Sequence, residues 1–156
     1  MRVHSAGTGA LAGHPMDQSS STLLERLGVR IADFVARDIT RDLIAESSLV
    51  LTATRAHRTA VTRMHPRALR TTHALRDLAH LAPGVELPSP DVSPQEWFDT
   101  LVPRLAARRG VDAPLAEDQA DIVDPFRQGP EVFERMAAEV EAGLPAIMRV
   151  LAPQRR

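Results

Sequence analysis

The segment LVLTAT, residues 49–54, constrains the fold more than any other stretch of the chain. It is short, apolar and β-branched, as a strand buried in a parallel sheet is expected to be. The helical segment RAHRTAVTRMH (55–65) follows at once and should end before Pro66, because the residue preceding a proline disfavours the helical conformation. RTTHAL (70–75) has the pattern of a second buried strand, followed by the short helix RDLAHL (76–81). Strands that alternate with helices predict an α/β fold with a parallel sheet.

The first part of the chain predicts three further elements. MRVHSA (1–6) alternates weakly and is interpreted as a short strand. Asp17 is a suitable N-cap for a helix over 18–27, and Gly28 is a suitable stop. Thr40 is a plausible cap for a second, shorter helix.

The last part of the chain, from residue 95 onward, predicts two longer helices. QEWFDTLVPRLAARR (95–109) is helical in pattern, and a long connection (110–129) leads to a final helix with Pro130 as its first residue. Apolar residues recur at helical spacing along the final helix and predict one buried stripe: Phe133, Met136, Ala137, Val140, Leu144, Ile147, Met148 and Leu151.

Composition excludes several classes of protein. The 156 residues fit a single domain, and a net charge of −1 gives no reason to expect a nucleic-acid partner. The chain has no apolar run of membrane-spanning length and no signal-peptide core, so we expect a cytoplasmic protein without a membrane partner. The absence of cysteine excludes a disulfide scaffold, a thiolate metal site and a thiol nucleophile within this chain.

A glycine-rich loop, GTGALAG (7–13), resembles a dinucleotide-binding fingerprint in its spacing. Such a loop places backbone N–H groups against a pyrophosphate where a helix begins. Here His14 and Pro15 interrupt the chain before the helix, so a structural loop is the better interpretation. 

The histidines do not predict a metal site. His57 and His65 lie eight residues apart rather than four, and His73 and His80 are isolated from each other in the sequence. Packed or solvated histidines are the expected outcome.

The segment DIVDPFRQGPEVFERM (121–136) contains the strongest catalytic candidate, Asp124. A carboxylate on a rigid Asp-Pro step ahead of a helix can serve as a positioned general acid. The alternative is an ordinary turn, since Asp-Pro and Arg-Gln-Gly are common in loops. Spacing alone favours the turn.

Three stretches, taken in order, resemble the low molecular weight protein-tyrosine phosphatases. SAGTGALAGHPMD (5–17) is similar to the family's second strand and loop, and LVLTATRAHRTAV (49–61) to its third strand and helix. DPFRQGPEVF (124–133) is similar to its acid loop and last helix, whereas the segment 84–116 is longer than the family's core. The resemblance implies a flavodoxin-like parallel sheet with helices on both faces.

The resemblance also implies a mechanism. In the family, a thiolate in a C-x₅-R-[ST] loop attacks phosphorus and forms a phosphocysteine. Asp124 takes the place of the acid that protonates the leaving phenol and then helps to activate water. Phe126 and Leu11 take the places of two opposing walls around the substrate ring. The implied substrates are phosphotyrosine proteins or small aryl phosphates, and no cofactor or metal is implied.

The chain departs from the family at its start. The family begins with a strand, the cysteine loop and a helix, whereas this chain begins at the SAGT strand with Met1 mid-strand and contains no C-x₅-R sequence. The missing strand would lie between the strands near Val3 and Val50, so we expect a single, N-terminally incomplete domain over 1–156. Its loss would leave an open sheet edge, which predicts marginal stability or a homo-oligomer.

Two functional hypotheses follow. The first is a phosphatase that is active only when an upstream cysteine loop is present, the chain by itself being inactive. The second is a pseudophosphatase remnant or an interaction module. The lack of cysteine disfavours the arsenate reductases that share the fold.

Overall fold

The computed structural model of the chain describes residues 2–31 and 33–152. Its sheet consists of two parallel strands, β1 and β2, in which Val50 pairs with Thr72 and Thr52 pairs with Ala74. The helices and strands follow one another in this order: α1 Gln18–Arg26, α2 Arg41–Ala45, β1 Val50–Thr52, α3 Arg55–Met64, β2 Thr72–Ala74, α4 Leu75–Leu81, α5 Pro94–Arg108, α6 Glu117–Ala120 and α7 Pro130–Leu151. Two 3₁₀ turns, Pro66–Leu69 and Ala82–Gly84, precede β2 and follow α4.

Four of the helices begin after a residue whose polar side chain caps the N-terminus. Asp17 accepts hydrogen bonds from the first turn of α1, and Thr40 and Thr54 do the same for α2 and α3. Ser93 and Glu96 form a reciprocal capping box at the start of α5. The predicted caps Asp17 and Thr40 are therefore confirmed, as is Pro130 as the first residue of α7.

The two strands predicted from their apolar, β-branched composition are confirmed, although each is shorter than its sequence pattern. All three residues of β2 are fully buried, whereas Leu51 at the centre of β1 is 38% exposed. α3 connects the two parallel strands and ends ahead of Pro66, as predicted. The α/β class with a parallel sheet is thus confirmed.

The main core lies where α4, α5 and α7 meet. Trp97 of α5 is buried there, and its indole N–H donates to the carbonyl of Val150 at 2.9 Å. Gly143 lets α7 approach α4 closely, because a Cβ at this position would lie 3.0 Å from Leu75 and 3.3 Å from Ala79. The segment 84–116 thus contributes α5 to the packing.

The predicted apolar stripe of α7 is partly wrong. Leu144 and Met148 are 41% and 51% exposed, whereas Gly143 and Val150 are buried. Phe133 and Ile147 of the stripe are buried as predicted, and the close approach to α4 occurs at Gly143, where no side chain separates the helices. Helix packing therefore follows the available space and not only the apolar pattern.

The predicted strand over 1–6 is also wrong for the residues that the structure describes. Residues 2–6 form no strand, and only Gly7 makes a single parallel bridge, with Asp38. Met1 lies outside the described residues. Over 2–31 and 33–152, β1 pairs with β2 alone, so residues 2–6 have no neighbouring strand to complete their backbone hydrogen bonds.

The connection before α7 contains one element that the sequence did not predict, the short helix α6. α7 itself runs without interruption past Pro145 to Leu151. Across the described residues, the helices are too short or too polar to cross a membrane.

Candidate active site

The acid loop, residues 121–129, joins α6 to α7 at the carboxyl edge of β1. The N–H of Ile122 donates to the carbonyl of Ala53, immediately after β1, at 3.0 Å. One carboxylate oxygen of Asp121 accepts from the backbone N–H of Arg55, the first residue of α3, at 2.7 Å. The loop is therefore anchored where open parallel α/β sheets bind their ligands.

A third anchor holds the residue just before Asp124. The N–H of Val123 donates to Glu139 of α7 at 2.8 Å. Burial disfavours ionisation of Glu139, but its hydrogen bonds from Val123 and Arg135, together with the charges of Arg135 and Arg76, lower its pKa. Glu139 is thus kept as the carboxylate that accepts this bond.

Asp124 itself is exposed, at the point where the anchored backbone ends. Its Oδ1 accepts the N–H of Phe126 at 3.0 Å, and the N–H of Gln128 donates to the carbonyl of Pro125 at 2.9 Å. The turn expected from the Asp-Pro step is therefore present, and it also sets the direction of the carboxylate. Within the described residues, Oδ2 of Asp124 accepts no hydrogen bond, and the residue is exposed to solvent.

Phe126 meets one requirement of a wall against a substrate ring, because it is 57% exposed. The guanidinium carbon of Arg127 lies over the ring, 5.1 Å from its centroid. Arg127 has a φ of 59°, a left-handed conformation that residues with side chains rarely adopt. One face of Phe126 is thus covered by a cation, and a substrate ring would have to pack on the opposite face.

Leu11 is 61% exposed on the glycine loop. Backbone bonds hold this loop against the segment before α2, including Gly13 N–H to the carbonyl of Ala36 at 2.8 Å. Asp38 also accepts the N–H of Ala10 at 3.0 Å. Over 2–31 and 33–152, no hydrogen bond or ion pair joins the glycine loop to the acid loop, so the role of Leu11 stays a prediction.

The glycine loop, residues 7–13, contains turns and is not followed directly by a helix. Gly13 has a φ of 83°, and the chain continues for several residues before α1 begins at Gln18. The loop therefore does not run directly into a helix N-terminus, which a dinucleotide-binding loop requires.

A cavity of about 220 Å³, lined in part by Arg55, lies beside α3 and α4. The sequence did not indicate it. His73 and His80, which are isolated in the sequence, both line it, together with Arg58 and Arg109. Its residues come from separate segments, so no local motif could have revealed it. In the described part of the chain, no three potential metal ligands of the His, Cys, Asp or Glu type are grouped together.

Residues 1–110 match the family model described as low molecular weight phosphotyrosine protein phosphatase. The chain belongs to this family. The match ends before the acid loop, so membership by itself does not assign a role to Asp124.

Relatives of this phosphatase family agree with the assignment. The chain is 24% identical over 99 residues to the low molecular weight protein-tyrosine-phosphatase Ptp of Acinetobacter johnsonii, which covers 64% of this chain and 67% of that protein. It is 32% identical over 65 residues to the probable low molecular weight protein-tyrosine-phosphatase AmsI of Erwinia amylovora. That second match covers 42% of this chain and spans less than half of AmsI, 45% of its length.

The fold agrees with a solved phosphatase structure. The tyrosine phosphatase Wzb from Escherichia coli, crystallised in complex with sulphate, superimposes with a TM-score of 0.66 at 19% identity. The superposition covers 97% of this chain and 79% of Wzb. The predicted flavodoxin-like phosphatase fold is confirmed.

Proposed function

We propose that this chain carries the general-acid half of a low molecular weight phosphatase active site. Its reaction would be the hydrolysis of aryl phosphates such as phosphotyrosine, with a cysteine loop that its 156 residues lack. One observation carries the proposal: Asp124 is exposed directly after three anchored residues at the carboxyl edge of β1. A general acid needs this combination of a fixed backbone and an accessible carboxyl group.

The chemistry assigned to Asp124 has two steps. When a thiolate attacks phosphorus, the bond between phosphorus and the phenolic oxygen breaks, and Asp124 donates its proton to that oxygen. Water then attacks the phosphocysteine, the Asp124 carboxylate accepts a proton from it, and inorganic phosphate and the thiolate are released. Such acid–base assistance contributes about 10²–10⁴-fold in rate.

The substrate class follows from the open face of Phe126. A phenyl ring packed there would place its phosphate ester near the turn that holds Asp124, and Leu11 is proposed as the opposing wall. Phosphotyrosine in proteins and small aryl phosphates both fit this arrangement.

The first test measures turnover of p-nitrophenyl phosphate by purified 1–156. We expect none above the rate in buffer, because the chain has no thiol to form the intermediate. Turnover that is abolished by Asp124→Asn would refute this part of the proposal.

The second test examines the native protein from its source cells, by intact mass and N-terminal peptide, and then by activity. If a cysteine loop precedes this chain, Asp124→Asn should lower kcat by about 10²–10⁴-fold with phenyl phosphate. The loss should be much smaller with p-nitrophenyl phosphate, whose leaving group needs less protonation. Asp118→Asn, at an exposed position on α6, is the matched control. Equal losses with both substrates would exclude the acid role.

A non-catalytic pseudophosphatase is the second candidate, favoured by the absence of cysteine. A native mass equal to that of the 156 residues, with no turnover, would select it. In that case Asp124 would act only as the turn residue that bonds Phe126.

A further inference from the structure

Two of the arginines that line the cavity of about 220 Å³ donate to backbone carbonyls. Arg58 of α3 donates through Nε to the carbonyl of Thr72 at 3.1 Å, and Arg109, just after α5, donates to the same oxygen. Arg109 also donates to the carbonyl of Leu69 at 2.7 Å. Two positive charges are thus held side by side by neutral acceptors.

Two carboxylates, Asp77 and Asp112, also line the cavity, but each is already bonded to another arginine. Asp77 binds Arg55 through two hydrogen bonds of 2.7 and 3.0 Å, and Asp112 binds Arg108, with one bond of 2.9 Å. In the ranges 2–31 and 33–152, neither Arg58 nor Arg109 forms an ion pair. Burial, followed by the charge of Arg58, lowers the pKa of Arg109 to about 10.

His73 provides an independent observation at the same cavity. It is fully buried, yet within residues 2–31 and 33–152 neither of its ring nitrogens makes a well-formed hydrogen bond. Burial, together with the charges of Arg109 and Arg58, lowers its pKa to about 3, although the Arg70 backbone and Asp77 act in the opposite direction. The Arg70 backbone lies near enough to act on the pKa, but it does not form a well-formed hydrogen bond with the ring. The ring is therefore neutral near pH 7, and its buried N–H donor is not fully satisfied within the described residues.

We propose that this cavity binds a small tetrahedral oxyanion of the phosphate class, held by the guanidinium groups of Arg58 and Arg109 and by the ring N–H of His73. All three groups are donors, and phosphate oxygens are strong acceptors that suit the forked guanidinium. The cavity is large enough for one phosphate group and several waters, since each water occupies about 30 Å³ of the liquid. The negative charge would relieve the repulsion between the two arginines.

This site is separate from the proposed acid. Arg55 is shared, because its side chain lines the cavity while its backbone N–H binds Asp121 of the acid loop. Asp124 and Phe126 do not line the cavity. The oxyanion site can therefore exist whether or not Asp124 is a general acid, and the two proposals fail independently.

The experiment measures thermal unfolding and the ring signals of His73 by NMR in purified 1–156, during titration with sodium phosphate. Sodium chloride keeps the ionic strength constant, which separates specific binding from screening. We expect a saturable rise in Tm with phosphate and a shift of the His73 ring signals that gives the same Kd.

Two variants and one matched control locate the binding. Arg58→Gln and Arg109→Gln should each weaken phosphate binding about 10-fold or more, as the loss of a charge-assisted hydrogen bond does. Arg104→Gln should leave the affinity unchanged, because Arg104 also donates to a backbone carbonyl, that of Glu86 at 2.8 Å, but does not line the cavity. If Arg109→Gln fails to fold, Arg58→Gln and the His73 signals decide the question.

The proposal is overturned if phosphate raises Tm no more than chloride does, or if both cavity variants retain full affinity. Equal loss of affinity in Arg104→Gln would also overturn it. Parallel titrations with O-phosphoserine and phenyl phosphate identify the source of the group. Tighter binding of an ester would assign the site to phosphorylated molecules, and tighter binding of the inorganic ion would assign it to free phosphate.

Discussion

The carboxylate of Asp121 binds the backbone N–H of Arg55 at 2.7 Å, and the side chain of the same arginine binds Asp77. Arg55 is the first residue of α3, where the backbone N–H groups have no partner within the helix. This contact connects the acid loop, the start of α3 and the wall of the cavity. It also makes the position of Asp124 depend on a hydrogen bond three residues earlier.

Replacing Asp121 by alanine should loosen the acid loop. The change removes a charged acceptor from a partly buried N–H group, which should lower the free energy of unfolding by about 1–3 kcal/mol. Hydrogen exchange at Ile122 and Val123 should accelerate, because one of the three anchors is lost. Asp118→Ala, at an exposed site on α6, should change stability by less than about 0.5 kcal/mol. Unchanged exchange at Ile122 and Val123 would contradict the anchoring role.

His73 should make stability fall in mild acid. Its pKa is about 3 in the folded chain against 6.5 ordinarily, so between these values only the unfolded chain binds the proton. The free energy of unfolding should therefore decrease as pH falls below 6.5, by about 1.4 kcal/mol per pH unit from this group. Urea unfolding at several pH values, without phosphate, measures the slope.

The matched variants for this pH dependence are His73→Gln and His57→Gln. His73→Gln should remove this part of the slope. The difference in the free energy of unfolding between this variant and the parent chain should therefore become smaller as the pH is lowered. The second changes an exposed histidine on α3 and should keep the parent slope. Identical slopes in all three proteins would show that His73 can take up a proton in the folded chain.

Gly143→Leu should destabilise the packing of α7 on α4. A Cβ alone would lie 3.0 Å from Leu75, so a larger side chain forces the two helices apart and should cost about 1–3 kcal/mol. Ala142→Leu, at the neighbouring exposed position, should be nearly neutral. Chemical denaturation of both variants checks this, and equal effects would show that the approach of α7 to α4 is not close.

Exposed apolar side chains on α7 predict self-association, as does the edge of β1 that has no strand partner among the described residues. Leu144 and Met148 are 41% and 51% exposed and lie one helical turn apart. We expect the apparent mass of 1–156 to increase with concentration in sedimentation experiments. The double change Leu144→Gln and Met148→Gln should reduce the association without large loss of stability. A monomer with a sharp, cooperative thermal transition would contradict both this prediction and that of marginal stability.

The elements predicted best were those with strong local signals. The strands 49–54 and 70–75, the helix between them, and the caps Asp17 and Thr40 each depend on periodicity or on short-range hydrogen bonds. α6 was missed because four residues carry too weak a pattern. The strand over 1–6 was wrong over residues 2–6, because a strand requires a neighbour that sequence alternation does not reveal.

The candidate site, like the fold, was predicted only in part from the sequence. The sequence singled out Asp124 and Phe126, and the structure shows the Asx turn between them and that both residues are exposed. The sequence did not indicate that Val123 is held by Glu139, or that Arg127 covers one face of Phe126. The contact with Glu139 depends on how α7 returns beside the loop, and the contact of Arg127 accompanies its left-handed backbone.

By itself, the sequence determined the α/β class, the family resemblance, the Asp-Pro acid candidate and the absence of a thiol nucleophile, because these depend on local pattern and residue type. Only the tertiary structure decided which face of α7 is buried and which backbone groups anchor the acid loop. It also brought Arg58, His73 and Arg109 together around one cavity. Long-range contacts of this kind follow from how helices pack around a strand pair, and side-chain periodicity along one segment does not encode that geometry.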